Sequence, residues 1–247
     1  MPNEFAQPVY ANDMKITPDP LDGELTYCEK IATTKWGTYT SEVVRGAILE
    51  AHRLAKTPTT AIDIGCEGGR WSKLLSTLGW NLICTDIDED ALAICRKRLP
   101  AAKCVLVSPD DSTIPAENET IGLLLCLEVG PVLQADWFID EALRVLRKKG
   151  LVVAIFYNRM SLRGSFVHLK YALRGRVDWY RFSYEPWKSK FCNSGFNMIR
   201  EEGMCWFPFR PGSNSALVPA ATHLERTLGL RRLVNLSPWI LFIAEKR

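Results

Sequence analysis

Histidine is scarce in this 247-residue chain, with three residues in all, and its eight cysteines never form a C-x-x-C pair. Zinc sites legible in a sequence need such local pairs. No metal is therefore expected, and the thiols are expected to be reduced, with Cys66, Cys84 and Cys126 in or beside core strands as small apolar groups. Long apolar runs are missing too: those around Leu123–Leu127 and Trp239–Ala244 fall far short of the ~20 residues a bilayer span needs. The opening MPNEFAQPVY lacks a basic start followed by an apolar stretch, so no secretory leader is expected. A formal net charge of +3 is too small to point to nucleic acid, and no nucleic-acid-binding module, repeat or low-complexity segment is evident. A cytoplasmic globular protein is the expectation.

What is present centres on AIDIGCEGGRW, residues 61–71. A short buried strand runs into Gly65, Gly68 and Gly69, and an apolar-periodic helix follows. Strand, glycine turn and helix start form an arrangement that brings main chain close to a ligand. The dinucleotide pattern G-x-G-x-x-G does not fit, because Glu67 and Arg70 occupy two of its glycine places.

Around this segment, strands alternate with helices. A helix is expected from Ser41 as N-cap to Leu54, and further strands at 81–85, 103–107, 121–127 and 151–157. Asp88 is placed to cap the helix after the second strand, whose last turn carries Arg96, Lys97 and Arg98. Two late strands, 196–202 and 238–245, suit an antiparallel hairpin at a sheet edge. The spacing predicts an α/β fold with a doubly wound, mostly parallel sheet. The organisation expected is an amino-terminal arm or cap over residues 1–40 and one domain over 41–247, with a lid insert at about 158–192.

In such a sheet, ligands bind beyond the carboxyl ends of the strands. Those ends carry Asp63, Asp86, Asp110 or Asp111, and Glu128. Asp86 lies 21 residues beyond Gly65, a spacing that sets a carboxylate against a ribose diol.

The pattern Asp63-x-Gly65-x-x-x-Gly69 resembles the first motif of the class I, Rossmann-like S-adenosylmethionine-dependent methyltransferases, usually D-x-G-x-G-x-G. LICTDIDEDAL resembles the second motif, SPDDSTIP the acid-then-Leu-Pro segment after the third strand, LRVLRKKG the turn before the fifth strand, and SGFNMIREEG the segment before the sixth. The resemblance implies a seven-stranded sheet and S-adenosylmethionine as cofactor, leaving as S-adenosylhomocysteine. It implies that Asp63 orients the methionine amino group, directly or through water. The Gly65–Gly69 backbone, Cys66 and Glu67 included, would lie along the carboxypropyl arm. Asp86 would hold the ribose, Ile87 would pack on adenine, Asp110 or Asp111 would accept from the adenine amino group, and Glu128 would line the methionine side. Two departures stand out. Glu67 replaces the middle glycine, either narrowing the turn or pointing to solvent, and Lys148 and Lys149 replace a Pro-Gly pair.

Acceptor recognition has to come from elsewhere. Between Arg159 and Lys190 eight Lys or Arg residues face only two acids, Asp178 and Glu185, with seven aromatics among them. This basic-aromatic lid suits an anionic acceptor, a peripheral membrane contact or a nucleic acid, but a solvated helix pair with an aromatic underside packed on the sheet is preferred to any single one of these. His168 is a candidate general base and Tyr157 a candidate neighbour of the transferred methyl. Trp36 and Tyr39 are placed to close a pocket from the amino-terminal side. The function implied is methyl transfer to an O, N or C atom of a small-molecule or lipid-like acceptor. The alternatives are a non-catalytic scaffold on the same fold and, with its glycine pattern broken, a nicotinamide-dependent oxidoreductase.

Overall fold

The computed structural model describes residues 25–175 and 178–247. The proline-bearing arm before residue 25, and Arg176 of the lid, lie outside the described residues. A helical turn α1 (Tyr27–Ala32) and a long helix α2 (Lys35–Ala55) lead into β1 (Thr60–Ile64). The wound core follows as α3 (Arg70–Thr77), β2 (Asn81–Asp86), α4 (Glu89–Arg98), β3 (Lys103–Leu106), β4 (Ile121–Cys126), α5 (Gly130–Leu133), α6 (Phe138–Val145) and β5 (Leu146–Tyr157). The lid carries α7 (Leu162–Ala172) and α8 (Tyr184–Ser194), and the chain ends with β6 (Phe196–Met204), α9 (Leu217–Thr227), two short 3₁₀ turns and β7 (Trp239–Lys246).

The seven strands lie in the order β3-β2-β1-β4-β5-β7-β6. All pairings from β3 to β5 are parallel, and β7 runs antiparallel to both β5 and β6. The expected mixed sheet is present, with the last strand inserted between β5 and β6. Because side chains alternate along a strand, β4 sends Leu123 and Leu125 to one core and Leu124 and Cys126 to the other. The first core is closed by α2, α3 and α4 through Val44, Ile48, Leu75 and Leu92. The second is closed by α6 and α8 through Phe138, Ala142, Tyr184 and Phe191. Burial on both faces explains why β4 reads as an unbroken apolar run.

Two local expectations need correction. Helix α2 begins at Lys35, capped by Thr34 Oγ1 accepting from Gly37 N at 3.0 Å, and not at Ser41. Trp36, Tyr39 and Thr40 are all buried and extend the helical periodicity backwards, while Ser41 Oγ donates to the Gly37 carbonyl inside the helix. Strand β5 begins at Leu146, five residues earlier than expected, and takes in the basic turn. Lys149 there adopts φ 64°, the left-handed conformation that glycine would accept without strain.

Candidate functional site

Strand order reverses between β1 and β4, and the crevice beyond their carboxyl ends holds the glycine loop on one side and Glu128 on the other. The two sides meet: a Cβ on Gly65 would lie 2.5 Å from Val129 Cγ2. The loop is pinned to β2. Gly65 N and Cys66 N both donate to the Thr85 carbonyl, at 2.8 and 2.9 Å, and Gly69 N donates to the Cys66 carbonyl at 2.8 Å. Gly69 then enters α3 with φ 79°. With these N–H groups satisfied internally, the loop offers ligands its surface, not a cradle of donors for a diphosphate.

Glu67, in the middle glycine place, adopts φ 49° itself. Its N–H donates to Asp86 Oδ2 at 2.7 Å, and Asp88 N donates to Asp86 Oδ1 at 3.0 Å. Each carboxylate oxygen keeps a further lone pair, and the neighbouring Ile87 is 58% exposed, an uncovered apolar surface beside a fixed carboxylate. Asp88 caps α4 through Asp90 N and Ala91 N, so Asp86 is not needed for that task.

The Glu67 side chain does not point to solvent. Its Oε2 accepts from Thr26 Oγ1 at 2.7 Å and its Oε1 from Cys28 N at 3.0 Å. These bonds latch α1 over the loop, together with Arg98, which bridges Glu29 at 2.6 Å and the Gly68 carbonyl at 2.9 Å. The approach is close enough that a Cβ on Gly68 would meet Thr26 Cγ2 at 2.5 Å. The T-Y-C-E capping box at residues 26–29 is the sequence signal for this helix. Only the fold reveals what it covers.

Asp63 lies beneath the loop, 2% exposed, with Oδ2 accepting from Ser72 Oγ at 2.6 Å. Burial raises its pKa to about 7, the Ser72 hydrogen bond offsetting part of the rise. Glu128 sits at φ 60° past the end of β4. Its side chain is solvent-accessible, yet desolvation by the surrounding protein also lifts its carboxyl to about 7. Arg70, missed by the motif reading, offsets part of the rise at Glu128 and is itself lowered by burial. Its Nη2 donates to Ser41 Oγ at 2.9 Å, and its guanidinium stacks 4.0 Å from the Trp71 ring centroid. Desolvation by the surrounding protein, reinforced by the Glu67 and Glu128 charges, pushes the thiol of surface-exposed Cys28 up, so Cys28 lies near both carboxylates. Asp110 and Asp111 stand exposed on the loop after β3, where Asp111 Oδ2 accepts from Ser108 N at 2.8 Å.

On the other side, Tyr157 is buried at the end of β5 within an aromatic group, its ring edge-on to Trp179, Tyr180 and Trp239 at 5.1, 5.7 and 5.0 Å. Trp36 extends the group, 5.4 Å from Trp239. Tyr39 is committed to packing: its hydroxyl donates to Glu225 at 2.5 Å and accepts from Cys205 N at 3.1 Å. Trp36 and Tyr39 also line a cavity of only about 10 Å³, room for no more than one water. His168 Nδ1 lies 2.9 Å from Oδ2 of buried Asp178, a partner that no local pattern assigns. Arg163 Nη1 and Trp206 Nε1 are buried donors with no hydrogen-bond partner among the described residues. The Cys205 thiol feels the charges of both Arg163 and Glu128, so these groups share one neighbourhood.

In the lid, the two helices divide. Helix α8 turns Tyr184, Trp187 and Phe191 into the second core, as a packed aromatic underside requires. Helix α7 does the reverse. Leu162, Phe166, Leu169 and Leu173, at successive helical positions, are 93, 70, 58 and 80% exposed.

Residues 62–154 match the family model of a methyltransferase domain. An uncharacterised methyltransferase-like protein of Schizosaccharomyces pombe is 25% identical over 150 residues, 60% of this chain and 57% of that protein. The match thus spans little more than half the length of that relative. A possible histamine N-methyltransferase of Thermotoga maritima superposes with a TM-score of 0.52 at 16% identity, over 88% of this chain and 99% of that one. A geranyl diphosphate methyltransferase in complex with geranyl diphosphate and sinefungin superposes with a TM-score of 0.53 at 14% identity, over 81% of this chain and 78% of that one. The motifs, the strand order and the match over residues 62–154 agree: this part of the chain is similar to a methyltransferase domain, on a sheet with the strand order given above.

Proposed function

We propose that the protein transfers the methyl group of S-adenosylmethionine to an O, N or C atom of a small-molecule or lipid-like acceptor. The observation that carries this reading is the Asp86 carboxylate, fixed by two main-chain N–H groups beside exposed Ile87 at the switch point. The donor set suits the cofactor. Asp86 has lone pairs for a ribose diol, Ile87 an apolar face for adenine, and Glu128 a carboxylate for the amino group, with Asp110 or Asp111 near the adenine edge. Asp63, held against Ser72, acts as a positioning residue for the loop.

S-adenosylmethionine supplies a methyl already activated on a sulfonium, so the chain has mainly to align the acceptor and exclude water. Helix α1, latched by Glu67, covers the cofactor side. Tyr157, Trp179 and Trp239 provide an apolar wall for the acceptor, and Arg163 and Trp206 provide buried donors for an oxygen or anionic group on it. His168, oriented by Asp178, is the base available to an acceptor that must lose a proton.

A lipid-like acceptor is favoured by α7, whose apolar stripe is flanked by exposed Arg159, Lys170 and Arg174. Such a surface fits an anionic membrane face. No helix among the described residues is long and apolar enough to cross a membrane, so the contact would be peripheral. A cytoplasmic location belongs to the same proposal, consistent with eight cysteines that form no disulfide. The test is incubation with methyl-labelled S-adenosylmethionine and separate lipid and aqueous metabolite extracts. Label entering the lipid fraction, and lost with Asp86→Ala, is the expected result. Cofactor binding without transfer to either fraction would overturn it in favour of a scaffold.

A further inference from the structure

Four of the eight cysteines converge beneath the cofactor loop. The Sγ atoms of Cys66, Cys84 and Cys95 all lie within 4.8 Å of one another, and all three residues are buried. Cys104 joins them, its Sγ 3.8 Å from that of Cys95. Each comes from a different element: Cys66 from the loop, Cys84 from β2, Cys95 from α4 and Cys104 from β3. The group sits directly under the loop, since a Cβ on Gly69 would lie 2.7 Å from Cys95 Sγ.

We propose that Cys66, Cys84, Cys95 and Cys104 form a thiolate site for one zinc ion, which ties the cofactor loop to β2, β3 and α4. Zinc–sulfur bonds of about 2.3 Å set the edges of a tetrahedron at about 3.8 Å. The Cys95–Cys104 pair already has that separation, the mutual distances among Cys66, Cys84 and Cys95 need to shorten by at most about an ångström, and Cys104 completes the set by moving inward from the Cys95 side. Thiolate is the ligand type that selects zinc over harder cations, and four such ligands complete a closed structural site. Each thiol releases its proton to solvent as the metal enters, so one zinc displaces four protons. The sequence hides this site because its ligands are 66, 84, 95 and 104, with no pair closer than nine residues.

The test uses the full chain, reduced and metal-stripped, titrated with cobalt(II) and then with zinc. One equivalent of cobalt should give intense sulfur-to-metal charge transfer with tetrahedral d–d bands, both bleached by zinc. Cys84→Ser should weaken cobalt binding at least a hundredfold, while Cys126→Ser, buried in β4 outside the group, should leave it unchanged. Should Cys84→Ser fail to fold, Cys104→Ser at the half-exposed edge should lower the charge-transfer intensity to that of three thiolates. No charge transfer from the folded, reduced protein would overturn the proposal, as would bands that persist at full strength in the cluster variants. A Cys95–Cys104 disulfide, seen as a two-proton mass loss in protein purified without reductant and lacking metal, would also overturn it.

Discussion

Glu67 Oε2 accepts the Thr26 hydroxyl at 2.7 Å across 41 residues of sequence. The residue that breaks the family's glycine pattern is therefore the one that fastens the amino-terminal helix over the loop. Glu67→Ala removes this bond and the one from Cys28 N. Two lost hydrogen bonds to a charged group correspond to about 1–3 kcal/mol of local stability or more. Amide exchange over residues 26–32 should accelerate about tenfold or more while exchange in β4 and β5 stays slow. Unchanged protection of α1 would contradict the latch.

Asp63 makes stability depend on pH in the direction opposite to a salt-bridged carboxylate. Its folded pKa of about 7 lies above the 3.8 of an ordinary aspartate, so the folded state holds the proton more tightly. Its contribution is favourable at low pH and is lost as pH rises from about 4 through about 7. Asp63→Asn, which keeps an acceptor for Ser72, should raise the Tm at pH 8 relative to wild type and flatten the profile in that window. A lower Tm for Asp63→Asn at pH 8 would contradict this account.

Glu128 titrates near the same value, about 7, at a position that faces the proposed amino group of the cofactor. Binding of S-adenosylhomocysteine should strengthen as pH rises through about 7 and Glu128 becomes anionic. Glu128→Gln should bind about tenfold or more weakly at pH 8 and lose that dependence, consistent with a hydrogen bond to a charged group of roughly 1.5–3 kcal/mol. A pH-independent wild type would remove Glu128 from the site.

The exposed stripe of α7 predicts association with anionic vesicles. Leu162→Glu combined with Phe166→Glu should abolish co-sedimentation with phosphatidylserine vesicles without lowering the Tm, because both side chains are already exposed. Arg174→Glu should weaken the same association in a salt-sensitive way. Retained binding in the double variant would rule out the stripe as the contact.

The alternation of strands and helices, the glycine loop and the Asp86 spacing are legible in the sequence because they follow from periodicities and turn chemistry within short windows. Asp88 as the cap of α4 was legible for the same reason. What escaped was long-range. The Glu67–Thr26 bond, the His168–Asp178 pair and the four-cysteine cluster each join segments that no local pattern relates. The α2 start escaped for a different reason. Trp36 and Tyr39 belong to the helical stripe, but a serine six residues into the helix imitates an N-cap.

The central role proposed for Asp86 is to hold a cofactor ribose, and calorimetric titration with S-adenosylhomocysteine tests it most directly, with Asp86→Ala and a nicotinamide dinucleotide run alongside. The account predicts micromolar binding of S-adenosylhomocysteine, lost in Asp86→Ala, and no binding of the dinucleotide. Absence of binding by the folded wild-type protein, or equal binding by Asp86→Ala, would contradict it.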